Sequence, residues 1–236
     1  MSRVFDGVAL QSGSSKNLDT EHHLAIQLPA VRTSFDRLAK RTLDTVVAAA
    51  ALLLLSPLML AIASAIWIAH GGPIILAHRR IGKNGRPFAC LKFRTMVRDA
   101  EAMLEQHLLN DPDARREWQL HQKLTDDPRV TRFGRYLRAT NLDELPQLIN
   151  VLKGDMSLVG PRPIVADEIA RYGDRFAICF SVAPGITGLW QIRRSTARSY
   201  DDRIALDASY VAQRSTLLDL AILTRTIPAA FFRRGI

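Results

Sequence analysis

The chain has 236 residues, of which 32 are basic and 23 acidic, for a formal charge of +9 and a pI near 10.1. That length supports one domain with a real core plus an appendage, and the charge calls for an anionic partner: nucleic acid, a lipid surface or a phosphorylated substrate. Two cysteines, Cys90 and Cys179, build neither a disulfide framework nor a cysteine metal site; they read as small buried hydrophobes in a reducing compartment.

Residues 1–34 carry scattered charges without a sustained period and read as a disordered tail. No signal peptide is expected, because the apolar run starts too late and no small-residue cleavage site follows it. From Thr45 to Ala69 the chain is apolar for long enough to span a bilayer. Ser56-Pro57 interrupts the run near its middle, leaving halves of about 12 residues, roughly 18 Å each at helical rise. Both flanks are basic, with Arg32, Arg37, Lys40 and Arg41 before and Arg79, Arg80, Lys83 and Arg86 after. Positive charge marks the cytoplasmic side, and a straight span cannot keep both ends there. On these residues alone, a spanning helix and one that re-enters the same face stand level.

Two strand-like runs, Ile74–Ile81 and Arg86–Arg94, flank Gly82-Lys83-Asn84-Gly85, and Asn-Gly between such runs signals a hairpin. A period of two sets Lys92 and Arg94 on one face of the second strand, where the pair could grip a diphosphate; a solvated basic face is the plainer reading. Arg98–Lys123 reads as helix, broken where Asp111 can cap and Pro112 can open a second piece. A turn and a short helix follow over Asp126–Arg138.

The segment Ala139–Gln147 sets Asp143 and Glu144 side by side. With Asp143 as N-cap, Pro146 falls in the first turn, where a missing N–H costs nothing, and the helix runs on to Gly154 as its C′ residue. The carboxylates would then stand at a positive helix end that also attracts phosphate, although acidic first turns are ordinary. Beyond it, Arg162 lies between Pro161 and Pro163, so its guanidinium loses little backbone entropy on gripping a phosphate; a rigid turn is the commoner use of such a triplet. Trp190 follows a glycine-punctuated loop and suits a half-buried core position or base stacking. Two helices close the chain. The first, about Tyr200–Gln213, carries a stripe of Ile204, Leu206 and Tyr210. The second, Leu217–Phe232, ends in Phe231-Phe232-Arg233-Arg234 and suits either the membrane interface or the domain core.

In order, the chain shows Ser56-Pro57, Gly72-Pro73, Arg80-Ile81-Gly82, Lys92-Phe93-Arg94-Thr95-Met96 and Leu142-Asp143-Glu144-Leu145-Pro146-Gln147. Asn150–Pro163 and Pro184-Gly185-Ile186-Thr187-Gly188 complete the set. From about Lys40 to the C-terminus the sequence thereby resembles the bacterial sugar transferases, the monotopic polyprenyl-phosphate hexose-1-phosphate transferases of the type that starts exopolysaccharide repeat units. The resemblance implies an α+β, mostly helical, membrane-associated fold with a small antiparallel β-hairpin, an N-terminal re-entrant helix kinked at Ser-Pro and interfacial amphipathic helices. The implied division is a tail over 1–34, the membrane helix over 35–71 and a cytoplasmic catalytic domain over 72–236, at the inner face of the bacterial cell membrane. The implied reaction passes a sugar-1-phosphate from a UDP-sugar, with galactose and glucose as candidates, to undecaprenyl phosphate, releasing UMP.

By the same match Asp143 is the nucleophile, Glu144 its metal-binding neighbour and Arg162 a phosphate ligand. Lys92, Arg94, Arg138 and Gln147 are the expected substrate-binding set, and Asp143 with Glu144 the expected holders of Mg²⁺. That assignment suits the chemistry. A carboxylate nucleophile splits the exchange into two displacements, and a divalent ion relieves the repulsion of adjacent carboxylates. One stretch departs from the family pattern: Ile192-Arg193-Arg194-Ser195 stands where a small residue and Gly-Arg are usual, so no contact is carried over to that loop. Anionic lipids are expected partners, and a homo-oligomer is compatible with the chain. The competing reading is a membrane-tethered basic module for anionic lipid or nucleic acid; it leaves the carboxylate pair unused, and no nucleic-acid motif supports it.

Overall fold

The structure, a computed structural model, describes residues 33–121, 123–193 and 199–232. All but the last two residues of the expected tail therefore lie outside it. Helix α1 (Ser34–His70) opens on a reciprocal capping box, in which Thr33 Oγ1 accepts from Asp36 N and Asp36 Oδ2 from Thr33 N. It does not stop at Ser56-Pro57. Pro57 cannot donate to the Leu53 carbonyl one turn back, and the Ser56 hydroxyl donates there instead at 2.8 Å.

Strands β1 (Ile75–Ile81) and β2 (Pro87–Phe93) form the expected antiparallel hairpin, Ile81 opposite Pro87 and Ile75 opposite Phe93. Asn84 (φ 57°) and Gly85 (φ 74°) make its turn in the left-handed region, where Asn and Gly are the residues that sit most readily. Helices α2 (Ala100–Asn110) and α3 (Pro112–His121) meet at Asp111. Its Oδ1 accepts from Asp113 N and Ala114 N, so the break falls where the Asp-Pro pair predicts. Helix α4 (Arg132–Ala139) is capped by Thr131.

After α4 a 3-10 turn (Leu142–Glu144) leads to α5 (Gln147–Lys153), closed by Gly154 at φ 89°. Then come β3 (Ser157–Val159), α6 (Ile169–Tyr172), α7 (Arg175–Cys179), β4 (Gly185–Thr187), α8 (Leu189–Ile192), α9 (Tyr200–Gln213) and α10 (Thr216–Phe232). Strands β3 and β4 pair in parallel, a second two-stranded sheet that the sequence reading did not foresee. Three residues per strand are too few to show a period.

The main core joins Cys90 of β2, Leu148 and Val151 of α5, Leu158 of β3, Tyr210 and Val211 of α9, Ile222 of α10 and Ala48 of α1. A second cluster holds Ile81, Ile164, Tyr172, Cys179, Phe180 and Ile204. Both cysteines are buried, and burial pushes the Cys179 thiol up to about 12. A third cluster places Ile62 and Ile66 of α1 on Phe93 and Leu137. Helix α1 thus touches the domain near both ends, while Leu53, Leu54 and Leu60 between them are well exposed. On α9 the buried stripe is Ile204, Asp207, Tyr210 and Val211, with Leu206 only partly covered. On α10, Leu218, Ile222 and Leu223 pack on the core and Leu217 and Leu220 face outward. The aromatic and arginine side chains expected to anchor its end lie outside the described residues.

One polar knot ties α1 down. Lys40 Nζ lies 3.0 Å from both Asp44 Oδ1 and Asp219 Oδ2. Asp44 accepts from Ser157 Oγ and Leu158 N, and Asp219 from the Tyr210 hydroxyl. Next to Lys40, Arg41 donates to the last carbonyls of α5, Val151 O and Leu152 O.

Candidate active site

Asp143 and Glu144 stand in the 3-10 turn, not at the head of a helix. Asn141 enters it at φ 56°, and Leu145 N, Leu148 N and Ile149 N donate three residues back, to Leu142 O, Leu145 O and Pro146 O. Pro146, not Asp143, occupies the position before α5, and no side chain caps that helix. The expected N-cap role of Asp143 is therefore wrong. Pro146 lacks the N–H that a continuous helical ladder would need, and the tighter turn takes its place. The turn still divides the two carboxylates: Asp143 goes inward, 8% exposed, while Glu144 stays half-open.

Lys92 meets that turn from β2, its Nζ 2.6 Å from Glu144 Oε1. Arg138, at the end of α4, donates from Nε to Thr95 Oγ1 at 2.9 Å. Its charge also acts on Asp143. Close packing of α4 on the Thr95 segment makes this geometry possible: a Cβ at Gly134 would overlap the Thr95 carbonyl oxygen. Burial pushes the Asp143 carboxyl up to about 6, with Glu144 adding to the rise and Lys92 and Arg138 opposing it. At neutral pH such an acid is still about 90% ionised, and it is poorly solvated, as a nucleophile should be.

Gln147, one turn on, is buried. Arg94, expected to bind substrate, is held by the backbone through two of its three guanidinium nitrogens. Nearly buried, it donates from Nε to Met96 O and from Nη1 to Gly72 O and Pro73 O, bracing the link between α1 and the hairpin. The period of two does put it on the Lys92 face, yet that face also carries Phe88 and Cys90 into the core. A strand can turn from solvent to core within two residues, which a sequence period cannot show.

Arg162 lies in the loop after β3, its guanidinium 5.6 Å from the Trp190 ring. Trp190 is also approached by Arg203 at 5.7 Å, so two cations lie within reach of its ring. The loop is joined to the hairpin where Ile81 N donates to Ile164 O at 2.8 Å. Arg193 ends α8, and Arg194 and Ser195 of the departing stretch lie outside the described residues.

Sequence reasoning missed a buried network behind this loop. Asp207 accepts from the Tyr172 hydroxyl, and Arg203 reaches the hydroxyls of Tyr172 and Tyr200. Glu168 accepts from Tyr200 and Val165 N and lies 3.8 Å from Arg80. Burial pushes Asp207 up to about 7 against the pull of Arg203 and the Tyr172 hydrogen bond. One signal was available: Asp207 falls one turn from both Ile204 and Tyr210, inside the apolar stripe of α9.

Among the described residues no three carboxylate, histidine or cysteine groups converge as a metal cage. Adjacent Asp143 and Glu144, one raised partly by the other's charge, fit Mg²⁺, which is held by one or two carboxylates with substrate phosphates completing the shell.

The profile described as "Bacterial sugar transferase" matches residues 35–233. The exopolysaccharide production protein ExoY of Rhizobium meliloti is 47% identical over 198 residues, 84% of this chain and 88% of that protein. The undecaprenyl-phosphate galactose phosphotransferase of Salmonella typhimurium is 47% identical over 84% of this chain and 42% of its own length. A UDP-glucose:undecaprenyl-phosphate glucose-1-phosphate transferase of Caulobacter vibrioides is 41% identical over 85% of this chain and 72% of its own.

Proposed function

Because the chain belongs to the bacterial sugar transferase family, we propose that it transfers a sugar-1-phosphate from a UDP-sugar to undecaprenyl phosphate, as the first membrane step of exopolysaccharide repeat-unit synthesis. The carrying observation is Asp143 itself, a buried and largely ionised carboxylate beside Glu144, Lys92 and Arg138. An Asp143 oxygen attacks the phosphorus that bears the sugar. One P–O bond forms, the bond to the leaving phosphate breaks, and UMP departs with the electron pair. A phosphate oxygen of the lipid then attacks the same phosphorus and frees the carboxylate. Galactose and glucose are the candidate sugars, in keeping with the galactose phosphotransferase of Salmonella and the glucose-1-phosphate transferase of Caulobacter.

Lys92 and Arg138 offset charge on the phosphoryl group in flight, and Arg162 holds a phosphate oxygen. Asp143 and Glu144 would hold Mg²⁺, which supplies charge neutralisation for the diphosphate. Family membership makes the chain an enzyme, so a binding-only basic module is not needed to explain its charge.

Helix α1 is long and apolar enough to cross a membrane. Its contacts favour re-entry at the cytoplasmic face: Asp44 and Ala48 near one end and Ile62 and Ile66 toward the other all pack on the same domain. A crossing helix would carry one of those ends about 30 Å away. The exposed middle, Leu53, Leu54 and Leu60, is the part left for lipid. UMP release from a panel of UDP-sugars, dependent on Mg²⁺ and polyprenyl phosphate, tests the reaction; none from any donor would refute it. Labelling a cysteine placed before Thr33 tests topology, and modification from the periplasm would refute re-entry.

A further inference from the structure

Several buried or half-buried arginines are used within the fold. Arg41, Arg94 and Arg98 donate to backbone carbonyls, although Arg94 Nη2 is buried without a hydrogen-bond partner among the described residues, and Arg129 chelates Asp127. Arg80 and Arg162 differ. Each is only partly exposed, and among the described residues neither guanidinium donates a hydrogen bond to the protein. The nearest carboxylate to Arg80 is Glu168 at 3.8 Å, already engaged by Tyr200 and Val165 N and lying 3.6 Å from Arg203. A half-buried guanidinium with its fork unfilled is an incomplete polar site.

Tertiary structure puts the two side by side. Ile81, next to Arg80, bridges to Ile164, two residues past Arg162. The like charge of Arg162 helps burial to hold the Arg80 guanidinium below its ordinary range, and Glu168, the carboxylate within ion-pair reach of Arg80, is shared with Arg203. Register pairs Leu76 with Lys92, His78 with Cys90 and Arg80 with Phe88, so Arg80 shares the hairpin face of Lys92, about 13 Å further along at strand rise. The charge of Glu144 reaches Arg80 as well as Lys92. Arg80 and Lys92 thus stand toward opposite ends of one hairpin face, with the buried Cys90 between them.

We propose that Arg80 is a substrate-binding residue that closes with Arg162 on one phosphate group, forming a two-guanidinium cradle at the end of the site remote from Lys92. This rests on the phosphotransfer reading above. The ligand chemistry is a phosphate anion, from either the diphosphate of the nucleotide donor or the headgroup of the lipid acceptor. Two planar forks gripping one phosphate are geometrically selective, which a lysine cannot match.

The test uses the full chain in nanodiscs, comparing wild type with Arg80→Ala, Arg80→Lys and Glu168→Gln. Steady-state UMP release is measured against varied UDP-sugar and varied polyprenyl phosphate, alongside melting temperature and UDP affinity by calorimetry. Loss of a charged phosphate contact predicts that Arg80→Ala raises the KM of one substrate about tenfold or more, with Arg80→Lys recovering only part. A change in donor KM with weaker UDP binding assigns the diphosphate, and a change in acceptor KM assigns the lipid phosphate. Glu168→Gln, which removes the neighbouring charge but can keep the Tyr200 and Val165 contacts, then leaves that KM equal or lower. Unchanged KM for both substrates in Arg80→Ala overturns the proposal, as does a Glu168→Gln variant showing the same loss, since Arg80 would then be only half of a structural ion pair. Wild-type protein inactive with every donor would instead overturn the reaction itself.

Discussion

Asp143→Asn should abolish turnover and at the same time make the protein more stable at neutral pH. The carboxyl sits at about 6 in the fold against an ordinary 3.8, chiefly because burial disfavours its charge. That gap of roughly two pH units corresponds to about 3 kcal/mol at 1.36 kcal/mol per unit. The sign follows from proton binding: between those values the folded chain holds the proton more tightly than the unfolded one. Stability from this group is therefore full below 3.8 and lost as pH rises through about 6. Asparagine resembles the protonated acid and escapes the loss. For a domain of this size, 1 kcal/mol moves the melting point by about 2–4 °C, so the variant should melt up to about 6–12 °C higher near pH 7.5 and gain little near pH 4. The assay is differential scanning fluorimetry of both proteins in nanodiscs, in chelator and across pH, paired with UMP release at neutral pH. A variant that melts at or below wild type near pH 7.5, or a difference that ignores pH, would refute the reasoning; near-normal turnover would remove Asp143 as nucleophile.

Further outcomes follow from the same contacts. Lys92→Met deletes a charge that holds Asp143 down, so the carboxyl should titrate higher still, seen as an upward move of its ¹³C-NMR titration in chelator-treated protein; an unmoved midpoint would mean that Lys92 serves Glu144 alone. Lys40→Met leaves Asp44 and Asp219 facing each other in the interior, a loss of about 3–5 kcal/mol that thermal melting should register, with the double change Lys40→Met and Asp219→Leu recovering part of it. Gly134→Ala forces α4 away from Thr95 and with it Arg138 from its hydroxyl partner, so loss of UMP release should accompany a lowered melting point; a variant of wild-type stability and rate would contradict the packing.

Where the signals are local, the sequence alone was enough. Asn84-Gly85 located the hairpin, Asp111-Pro112 the break between α2 and α3, and the stripe of Ile204, Leu206 and Tyr210 the helix α9, bounded by Tyr200 and Gln213 as predicted. The adjacent acids and the proline-flanked arginine could be named because their spacing is itself the motif. Folding changed two readings in detail. Asp143 is no N-cap, since consecutive three-residue bonds around Pro146 took the place of a helical turn. Arg94 went to backbone carbonyls, because the strand passes from the site into the core at that point.

Chain order alone thus marked the adjacent acids and the proline-flanked arginine as candidates and located the hairpin turn and the break at Asp111-Pro112, because capping, proline and left-handed glycine act within a few residues of themselves. Which cations face Asp143, and that Arg80 comes to lie beside Arg162, was decided by contacts between segments tens of residues apart: the Lys92–Glu144 pair, the Ile81–Ile164 bridge and the clamp of Lys40 on Asp219. Such pairings depend on burial and on the exclusion of water, and these come into being only when the distant segments close on one another.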